Sequence, residues 1–330
     1  MHILGLLGSP RKKGNTQDLL SMFIKEAEKY GATTNVIDVT KQNIKPCKEL
    51  IVCEKKGFCP IKDDMDEFIY ASIKSADVIV LAAPVFFYNV PSQIKALIDR
   101  CQMFWGRKYK LKLEDPNSHL RKGFLLSCGA SGGKKLFDGI ELTAKIFYDA
   151  LSIPYAESLT YRHIESPGQM ASHPTAKEDI KKVVKNLCDP FISKKKILFV
   201  SQNDALRTQI AAAFFKQYDK GRYRVKTVGI NALKKVHPEI IEIMAQKQLD
   251  LMYFSPVSID QLDRNYKYDH VVYFGKNSSE IDIKAFKSEI WEINSPKETS
   301  YQTLQELRDR IEIRVKKLVS SLTILKVGGL

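Results

Sequence analysis

The chain has 330 residues, 44% of them hydrophobic and 27% charged, a composition typical of a globular protein large enough for two domains. No stretch reaches the roughly 18 to 20 unbroken apolar residues of a membrane span, and the short apolar run at the start reads as a strand rather than a signal peptide, so we expect a cytoplasmic protein without a membrane partner. The net charge is +14, but the lysines are spread along the chain without a basic block interleaved with aromatic residues, so we expect no nucleic-acid partner.

Strands and helices alternate in the first half of the chain. Apolar runs predict strands at 2–8, 34–39, 76–83 and 122–130. Apolar stripes at helical spacing predict helices at 17–31, 91–105 and 141–153. The run at 76–83 is apolar throughout, which is typical of a buried parallel strand. This order predicts a doubly wound parallel sheet with right-handed crossovers.

The second half of the chain repeats this architecture without repeating the sequence. Strands are predicted at 194–203, 222–230, 268–275 and 288–294, and helices at 205–218, 238–249 and 303–322. Residues 169–194 are polar and rich in lysine, and we take them as a linker. The predicted fold class is α/β, with a first domain at 1–168 and a second, smaller α/β domain at 195–330.

The segment Ser9–Thr16 joins the first strand to the first helix. Backbone N–H groups and the helix dipole attract phosphate at such a place. Ser9, Asn15 and Thr16 add polar donors, and Arg11 adds a charged fork. The alternative is an ordinary helix start with Asn15 as its N-cap.

Two further loops follow buried strands, and ligands of open parallel sheets bind beyond the carboxyl ends of the strands. Residues 84–92 bunch aromatic side chains that suit a flat ring ligand, although core packing would also explain them. Residues 127–133 are small and let the backbone approach a ligand closely.

The segments GSPRKKGNT (8–16), PCKELIVCEKKGFCPIKDDM (46–65) and APVFFYNVPSQIKALIDR (83–100) resemble the NADPH-dependent FMN reductase family, which includes the iron–sulfur flavoproteins. The resemblance covers roughly residues 1–165 and implies a flavodoxin-like domain that binds FMN, with NAD(P)H as co-substrate. It further implies a homodimer or higher homo-oligomer with the flavin near the interface. The residues expected to bind the cofactor are Ser9, Arg11, Gly14, Asn15, Thr16, Pro84, Val85, Phe86, Phe87, Tyr88, Asn89, Ser127, Gly129 and Gly132.

Three cysteines lie close together in the second of these segments. They are Cys47, Cys53 and Cys59, and family members with a cluster carry a fourth cysteine where this chain has Leu50. An iron–sulfur cluster usually takes four thiolates, and a zinc site has the same shortfall here. These three residues are therefore weak metal candidates, and we expect no iron–sulfur cluster. Acidic Asp63 and Asp64 are expected to open the next helix, where they suit its dipole.

Residues 197–215 (ILFVSQNDALRTQIAAAFF) resemble the low-molecular-weight protein tyrosine phosphatase and arsenate reductase family, and the resemblance extends over about 195–322. The position of the family's nucleophilic cysteine is Ser201, whereas the loop arginine remains as Arg207. The family's general acid is expected just before a proline near residue 296, and this chain has Ser295 at that position. A serine without a base is a poor nucleophile, so we expect no phosphatase activity. Ser201, Asn203 and Arg207 form a possible anion-binding loop, and a purely structural domain or a partner-binding scaffold remains open.

The sequence thus favours an FMN-dependent NAD(P)H oxidoreductase that passes electrons to a quinone or another small-molecule electron acceptor. No side chain is assigned as acid or base, because hydride transfer to a flavin depends chiefly on stacking and orientation. The competing hypothesis is a flavin redox sensor or electron-transfer module without turnover, whose second domain binds an anion or a partner.

Overall fold

The computed structural model describes residues 1–262, 266–296 and 300–324. The chain divides into two compact units. The first contains Met1–Lys112 and Leu120–Ile192, and the second contains Leu113–His119 and Ser193–Leu330. Both units are parallel-sheet α/β folds, so the predicted fold class is confirmed. In the described ranges, no helix is long and apolar enough to cross a membrane.

The first unit contains a parallel sheet with five described strands in the order β2-β1-β3-β4-β5. This is the flavodoxin-like order, in which β1 lies between strands that follow it in sequence. The strands are β1 (His2–Leu7), β2 (Thr33–Asp38), β3 (Val78–Pro84), β4 (Lys122–Cys128) and β5 (Tyr155–Tyr161).

The helices of the first unit connect successive strands or pack beside them. They are α1 (Asn15–Lys29), α2 (Val52–Lys56), α3 (Tyr70–Ser75), α4 (Ser92–Arg100), α5 (Gln102–Trp105), α6 (Asp138–Ala150) and α7 (Ala176–Ile192). A single π-helical turn, Met65–Ile69, precedes α3, and a second, Gly106–Lys110, follows α5. A short 3-10 turn, Val39–Lys41, follows β2.

The core of the first unit explains why its central strands are apolar throughout. Strand β3 is buried from Val78 to Ala83, because helices cover both faces of a doubly wound sheet. On one face, α1 and α7 pack together, and the rings of Phe23 and Phe124 lie 5.4 Å apart between centroids. Burial of such large side chains contributes roughly 1.5–3 kcal/mol each.

Two elements of the first unit differ from the sequence expectation. Strand β5 lies at the edge of the sheet and is largely polar, so it carries no continuous apolar run. Helix α7 occupies most of the predicted linker, residues 169–194. Its buried Ile180, Val183 and Val184 form the start of a helical stripe, but the lysines on its exposed face gave the segment a polar composition.

The second unit contains a parallel sheet with four described strands in the order β7-β6-β8-β9. The strands are β6 (Lys196–Ser201), β7 (Arg224–Gly229), β8 (Tyr268–Phe274) and β9 (Ala285–Trp291). The helices are α8 (Arg207–Asp219), α9 (Pro238–Ala245) and α10 (Tyr301–Ile324), with 3-10 turns at Ile259–Gln261 and Lys276–Ser278. Helix α8 packs between the sheet and α10, which explains its apolar run of alanine and phenylalanine.

The second unit also differs from expectation at two places. The predicted strand 288–294 is β9, which begins three residues earlier at Ala285. The segment Leu113–His119, expected in the first domain, belongs to the second unit. There the backbone N–H of Glu114 donates to the Gln248 carbonyl at 2.7 Å, and the Asp250 N–H donates to the Glu114 carbonyl at 2.8 Å.

Candidate functional site

The three loops that the sequence singled out lie at one edge of the first sheet. Strands β1, β3 and β4 are neighbours and parallel, so their carboxyl ends meet there. The Gly8 N–H donates to the Ala82 carbonyl at 2.8 Å, and the Val85 N–H donates to the Cys128 carbonyl at 3.2 Å. These bonds join the starts of the three loops into one site.

The first loop leaves the N-terminus of α1 without a side-chain cap. The N-cap residue is Gly14, with extended backbone (φ −89°, ψ 163°), rather than Asn15. A Cβ at Gly14 would lie only 3.1 Å from the Cβ of Arg11, which makes the absence of a side chain useful for this tight turn. Exposed Arg11, Lys12 and Lys13 precede the helix and give this end a positive charge. The arrangement suits an anion.

The side chains of the first loop are divided between ligand and scaffold. Asn15 is used as scaffold, because its Nδ2 donates to the Ser166 carbonyl at 2.9 Å and its Oδ1 accepts from the Met170 N–H at 3.1 Å. The Oγ1 of buried Thr16 lies 3.4 Å from the Sγ of Cys128. Burial raises the pKa of Cys128, against the opposing hydrogen bond of Thr16.

A fourth segment, residues 165–170, therefore adjoins the first loop at this sheet edge. The sequence did not predict it as part of the site. Besides contacting Asn15, it receives a long hydrogen bond of 3.4 Å from Arg11 Nη1 to the Glu165 carbonyl. Its own residues carry no recognisable motif. Only the tertiary contacts with the first loop identify it as part of the site.

The second loop is a strained turn that presents aromatic side chains. Phe86 and Asn89 exchange backbone hydrogen bonds of 2.8 and 2.9 Å, which closes a two-residue turn. The two central residues have positive φ, 48° at Phe87 and 63° at Tyr88. Bulky residues rarely adopt this left-handed conformation, and such strain clusters at functional sites. Phe87 is fully exposed at the tip of the turn.

Helix α6 supports the strained turn from below. A Cβ at Gly139 would lie 2.3 Å from the Tyr88 carbonyl oxygen, so only glycine allows this approach. The Oγ1 of Thr143 donates to the Asn89 Oδ1 at 2.9 Å, and the same Oδ1 accepts from the Val90 N–H at 2.8 Å. Gly139 and Thr143 were not among the predicted residues, because a helix face gives no sequence signal for the loop it holds.

The third loop is closely packed against its neighbours. A Cβ at Gly129 would lie 2.9 Å from Leu136, and one at Gly132 would lie 2.4 Å from the His163 ring. Ser127 is fully buried and donates from Oγ to the Ala83 carbonyl at 2.8 Å, so its side chain joins two strands instead of facing a ligand.

The three-cysteine segment lies in the same unit. Cys47 is exposed, Cys53 and Cys59 are half-buried, and all three thiols are free. Burial raises the pKa of Cys53, and the neighbouring Cys59 raises it further. Among the residues that the structure describes, no group of three or more His, Cys, Asp or Glu is arranged to hold a metal ion.

Asp63 opens the helical turn Met65–Ile69 as expected, since its Oδ1 accepts a hydrogen bond from the Met65 N–H at 3.1 Å, and it has a second role as well. It is buried and forms an ion pair with buried Arg100, from Oδ2 to Nη1 at 2.6 Å and from Oδ1 to Nη2 at 3.2 Å. Burial raises the pKa of Asp63, but the hydrogen bonds of Arg100 and of the Lys45 backbone outweigh it, so the net pKa is lowered. The pair fastens α4 to the cysteine segment, since Arg100 also donates to the Lys45 carbonyl.

The corresponding loop of the second unit, after β6, contains a buried carboxylate. Asp204 accepts hydrogen bonds from Thr208 Oγ1 (2.6 Å), Thr227 Oγ1 (2.9 Å) and the Val257 N–H (2.8 Å). Burial raises the pKa of Asp204 to about 6, although these donors oppose the rise. Its own N–H donates to the Oγ of Ser201 at 3.1 Å.

Arg207 was predicted to bind an anion, but in the structure its guanidinium is bonded to the protein backbone. Its Nη1 donates to the Ile293 carbonyl at 2.6 Å, and its guanidinium lies 5.7 Å from the centroid of the Phe274 ring. The Asn203 Oδ1 accepts a long bond of 3.5 Å from the Ala205 N–H. The predicted anion-loop residues are thus near one another, but their polar groups are directed at the protein.

Topology and site together define a flavodoxin-like domain followed by a smaller low-molecular-weight phosphatase-like domain. Residues 1–154 match the family model of NADPH-dependent FMN reductases, and residues 196–326 match that of low molecular weight phosphotyrosine protein phosphatases. Both resemblances predicted from the sequence are confirmed. The first unit is therefore similar to FMN reductases, and the second is similar to low molecular weight phosphatases.

Curated relatives match each half separately. An iron–sulfur flavoprotein of Methanosarcina thermophila is 38% identical over 112 residues, which are 34% of this chain and 58% of the relative. One of Archaeoglobus fulgidus is 37% identical over 112 residues, 34% of this chain and 50% of the relative. A protein named a putative arsenate reductase in Halobacterium salinarum is 29% identical over 133 residues, 38% of this chain and 92% of the relative. The chain spans about half the length of the flavoproteins it matches.

Solved structures similar to each half are also known. An NAD(P)H:quinone oxidoreductase from Methanothermobacter marburgensis has a TM-score of 0.45 at 16% identity and covers 57% of this chain and 96% of its own. An arsenate reductase in the phosphate-binding state has a TM-score of 0.33 at 23% identity and covers 38% of this chain and 98% of its own.

Proposed function

We propose that the first unit binds FMN and acts as an NAD(P)H-dependent oxidoreductase that passes electrons to a quinone or another small acceptor. The observation that carries this proposal is the shared edge of β1, β3 and β4. There, an uncapped helix N-terminus and a strained aromatic turn lie beyond adjacent strands of an FMN reductase-like domain. One end suits a phosphate, and the other suits a flat ring.

The residues present fit the two ends of FMN. At the phosphate, the first-turn N–H groups of α1 point out of the helix without a side-chain cap, and Arg11 adds a guanidinium. Buried Ser9 and Thr16 add hydroxyl groups beside them. We assign Asn15 the task of holding the segment 165–170, since both ends of its amide are already bonded there.

At the ring, the turn 86–89 offers backbone groups. Phe86 and Asn89 satisfy each other's backbone groups, and we propose that the N–H groups of Phe87 and Tyr88, at the tip of the turn, meet heteroatoms of the ring. The aromatic side chains of this turn, with exposed fractions of 45% at Phe86 and 54% at Tyr88, can cover the ring and exclude water. Gly139 and Thr143 hold the turn in place.

FMN held at this site would supply the redox chemistry: two electrons and one proton taken as a hydride from NAD(P)H, together with one proton from solvent, would convert a quinone into a hydroquinone. No side chain of this chain needs to act as acid or base in that sequence. The residues of the site instead orient the two reactants and keep the ring in contact with the co-substrate.

We further propose that the second unit does not hydrolyse phosphate esters. Ser201 is buried, and its Oγ is bonded to the Asp204 N–H at 3.1 Å and lies 3.4 Å from the Thr208 Oγ1, neither of which is a base that would activate the hydroxyl. The Asp204 carboxylate in the loop opposes binding of an anion, and Arg207 is bonded to the Ile293 carbonyl. We also propose that the protein is cytoplasmic and forms a homodimer or higher homo-oligomer, without nucleic-acid or membrane partners.

An absorption spectrum of the protein purified without oxygen, followed by titration with NADPH, tests the main proposal. We expect the two visible bands of an oxidised flavin, and we expect NADPH to bleach them. Bleaching by dithionite alone would contradict an oxidoreductase and would indicate a redox sensor. A colourless protein that takes up no added FMN would overturn the assignment of the site.

A further inference from the structure

A second pocket lies in the first unit, apart from the phosphate loop. It has a volume of about 710 Å³ and is formed by α4, α5 and α6 together with the cysteine segment. Pockets for small molecules are typically about 300–1,000 Å³. The proposed function has not used this pocket, although it is large enough for a compact organic ligand.

The walls of the pocket carry large apolar side chains that the fold itself does not bury. Among the lining residues, Leu142 and Ile146 on α6 are 62% and 61% exposed, and Leu50 is 51% exposed. Trp105 on α5 also lines the pocket. These side chains gain nothing from exposure to water, so a ligand that covers them would be stabilised by the hydrophobic effect.

The backbone of the cysteine segment is strained where it borders the pocket. Glu49 and Ile51 both line it and have positive φ, 52° and 60°. A branched side chain such as that of Ile51 is a genuine outlier in this region, because its Cβ crowds the backbone. The fold maintains this conformation although the side chain of Ile51, a lining residue, stays 49% exposed.

The charges of the pocket disfavour an anionic ligand. Its one lining cation, within the described residues, is Lys95, which pairs with Asp99 at 2.6 Å. The carboxylates of Glu49 and Glu54 remain, and Glu54 accepts a hydrogen bond from neutral Gln102 at 3.3 Å. In a chain whose net charge is +14, this pocket is locally acidic. A phosphate-bearing molecule would be repelled here.

The pocket adjoins the strained aromatic turn through α6. Thr143 lines the pocket and also donates its hydroxyl hydrogen bond to Asn89 of that turn. One turn of α6 earlier, Gly139 contacts the Tyr88 carbonyl. The same helix face therefore forms a wall of the pocket and the support of the proposed ring-binding loop.

We propose that this pocket binds the electron acceptor, and that the acceptor is an uncharged, mostly apolar ring compound such as a fully substituted quinone. Full substitution matters because Cys47 and Cys53 line the pocket, and a quinone with an open ring position would add to a thiol. The role as acceptor rests on the proposed function, but binding to the pocket does not require turnover.

The test uses tryptophan fluorescence of the full-length protein with tetramethyl-1,4-benzoquinone as the ligand. The chain has two tryptophans, Trp105 in the pocket and Trp291, which is 2% exposed in the second unit. We expect saturable quenching that Trp105→Phe removes. Ile146→Asp should raise the quinone Kd at least tenfold, because it places a charge on the apolar wall. Ile192→Asp is the matched control, since Ile192 is 51% exposed and lies outside the pocket, and it should leave the Kd unchanged.

A fully substituted quinone with a charge, 2,3-dimethyl-1,4-naphthoquinone bearing a sulfonate on its benzo ring, supplies the charge test, and we expect it to bind at least tenfold more weakly than neutral 2,3-dimethyl-1,4-naphthoquinone. Linear, unsaturable quenching, or equal Kd values for the wild type and Ile146→Asp, would overturn the proposal. The proposal would also be overturned if the wild type bound no quinone and formed an oligomer that Ile146→Asp dissociates. A second copy of the chain would then cover this face. A third outcome is saturable quinone binding in a protein whose flavin is not bleached by NADPH. It would support quinone binding in the pocket but contradict the proposed NAD(P)H-dependent function.

Discussion

The loops that follow β1 and β6 occupy the same place in two parallel sheets, yet they differ in charge. Each leaves the first strand of its unit and leads into a helix, α1 or α8. The loop after β1 has exposed cations and an uncapped helix N-terminus. The loop after β6 has the buried carboxylate of Asp204. The topology therefore places both loops where an anion could bind, but the negative charge of Asp204 in the second loop disfavours anion binding there.

The two units also differ in the direction in which the pKa of a buried carboxylate is shifted. Asp63 faces a guanidinium, and its pKa is lowered. Asp204 faces only neutral donors, and burial raises its pKa to about 6. Both side chains are inaccessible to solvent, so burial alone does not set the direction of the shift; the charge of the partner does.

The largest effect in this comparison is expected from Arg100→Met, which would leave Asp63 buried without its cation. We expect the free energy of unfolding of the first unit to fall by about 3–5 kcal/mol, the usual cost of removing one partner of a buried ion pair. Urea denaturation followed at Trp105 measures this. Lys95→Met is the matched control, because its exposed pair with Asp99 on the same helix should contribute under about 1 kcal/mol. Equal losses in the two variants would contradict the assigned role of Asp63.

The next effect concerns pH, and the two carboxylates act with opposite signs. The pKa of Asp204 is higher in the folded state, at about 6, than its ordinary 3.8, so the folded second unit retains a proton that the unfolded chain releases. Its contribution should therefore decline by about 3 kcal/mol as pH rises from about 4 to 7. For Asp63, with a lowered pKa, stability should instead be lost as pH falls below about 4.

Denaturation at several pH values, followed at Trp291, isolates the effect of Asp204. The difference in unfolding free energy between wild type and Asp204→Asn should slope with pH between about 4 and 7, since only the wild type carries this titrating group. A difference that stays constant over this range would show that the pKa of Asp204 is not raised.

A smaller effect is expected at the first loop. Arg11→Ala combined with Thr16→Val should raise the Kd for FMN about 10- to 100-fold, or about 1.4–2.8 kcal/mol, because a charge-assisted bond and a hydroxyl are lost. Binding is measured by quenching of flavin fluorescence. Lys25→Ala removes a cation from the exposed face of α1 outside the loop and should not change the Kd. An unaltered Kd in the double variant would exclude the loop from the site.

No effect at all is expected at the second loop. The full-length protein should hydrolyse an aryl phosphate no faster than buffer does, and Ser201→Ala should behave identically. This follows because the Ser201 Oγ accepts from the Asp204 N–H, whereas the Asp204 carboxylate is bonded to other donors and does not activate the hydroxyl. Hydrolysis by the wild type that Ser201→Ala abolishes would show that the second loop, despite its carboxylate, is a catalytic site.

Most of the architecture was determined by the sequence itself. Buried parallel strands are apolar on both faces. The sequence therefore shows apolar runs at the strands β1, β3, β4, β6 and β8. The motifs that follow them placed the three loops correctly at one sheet edge. Edge strand β5 and the lysine-covered helix α7 were not recognised, because one-sided burial leaves too weak a pattern when polar residues fill the exposed face.

Only the tertiary structure decided what the polar side chains of the loops do. Hydrogen-bond partners far apart in sequence, such as Asn15 with Ser166 and Arg207 with Ile293, turn predicted ligand groups into scaffold. The pairing of Asp63 with Arg100 and the isolation of Asp204 among neutral donors are likewise set by packing. A sequence specifies which groups are present and where strands end, whereas the energy of a buried polar group depends on the few partners within hydrogen-bond reach, which only the folded chain selects.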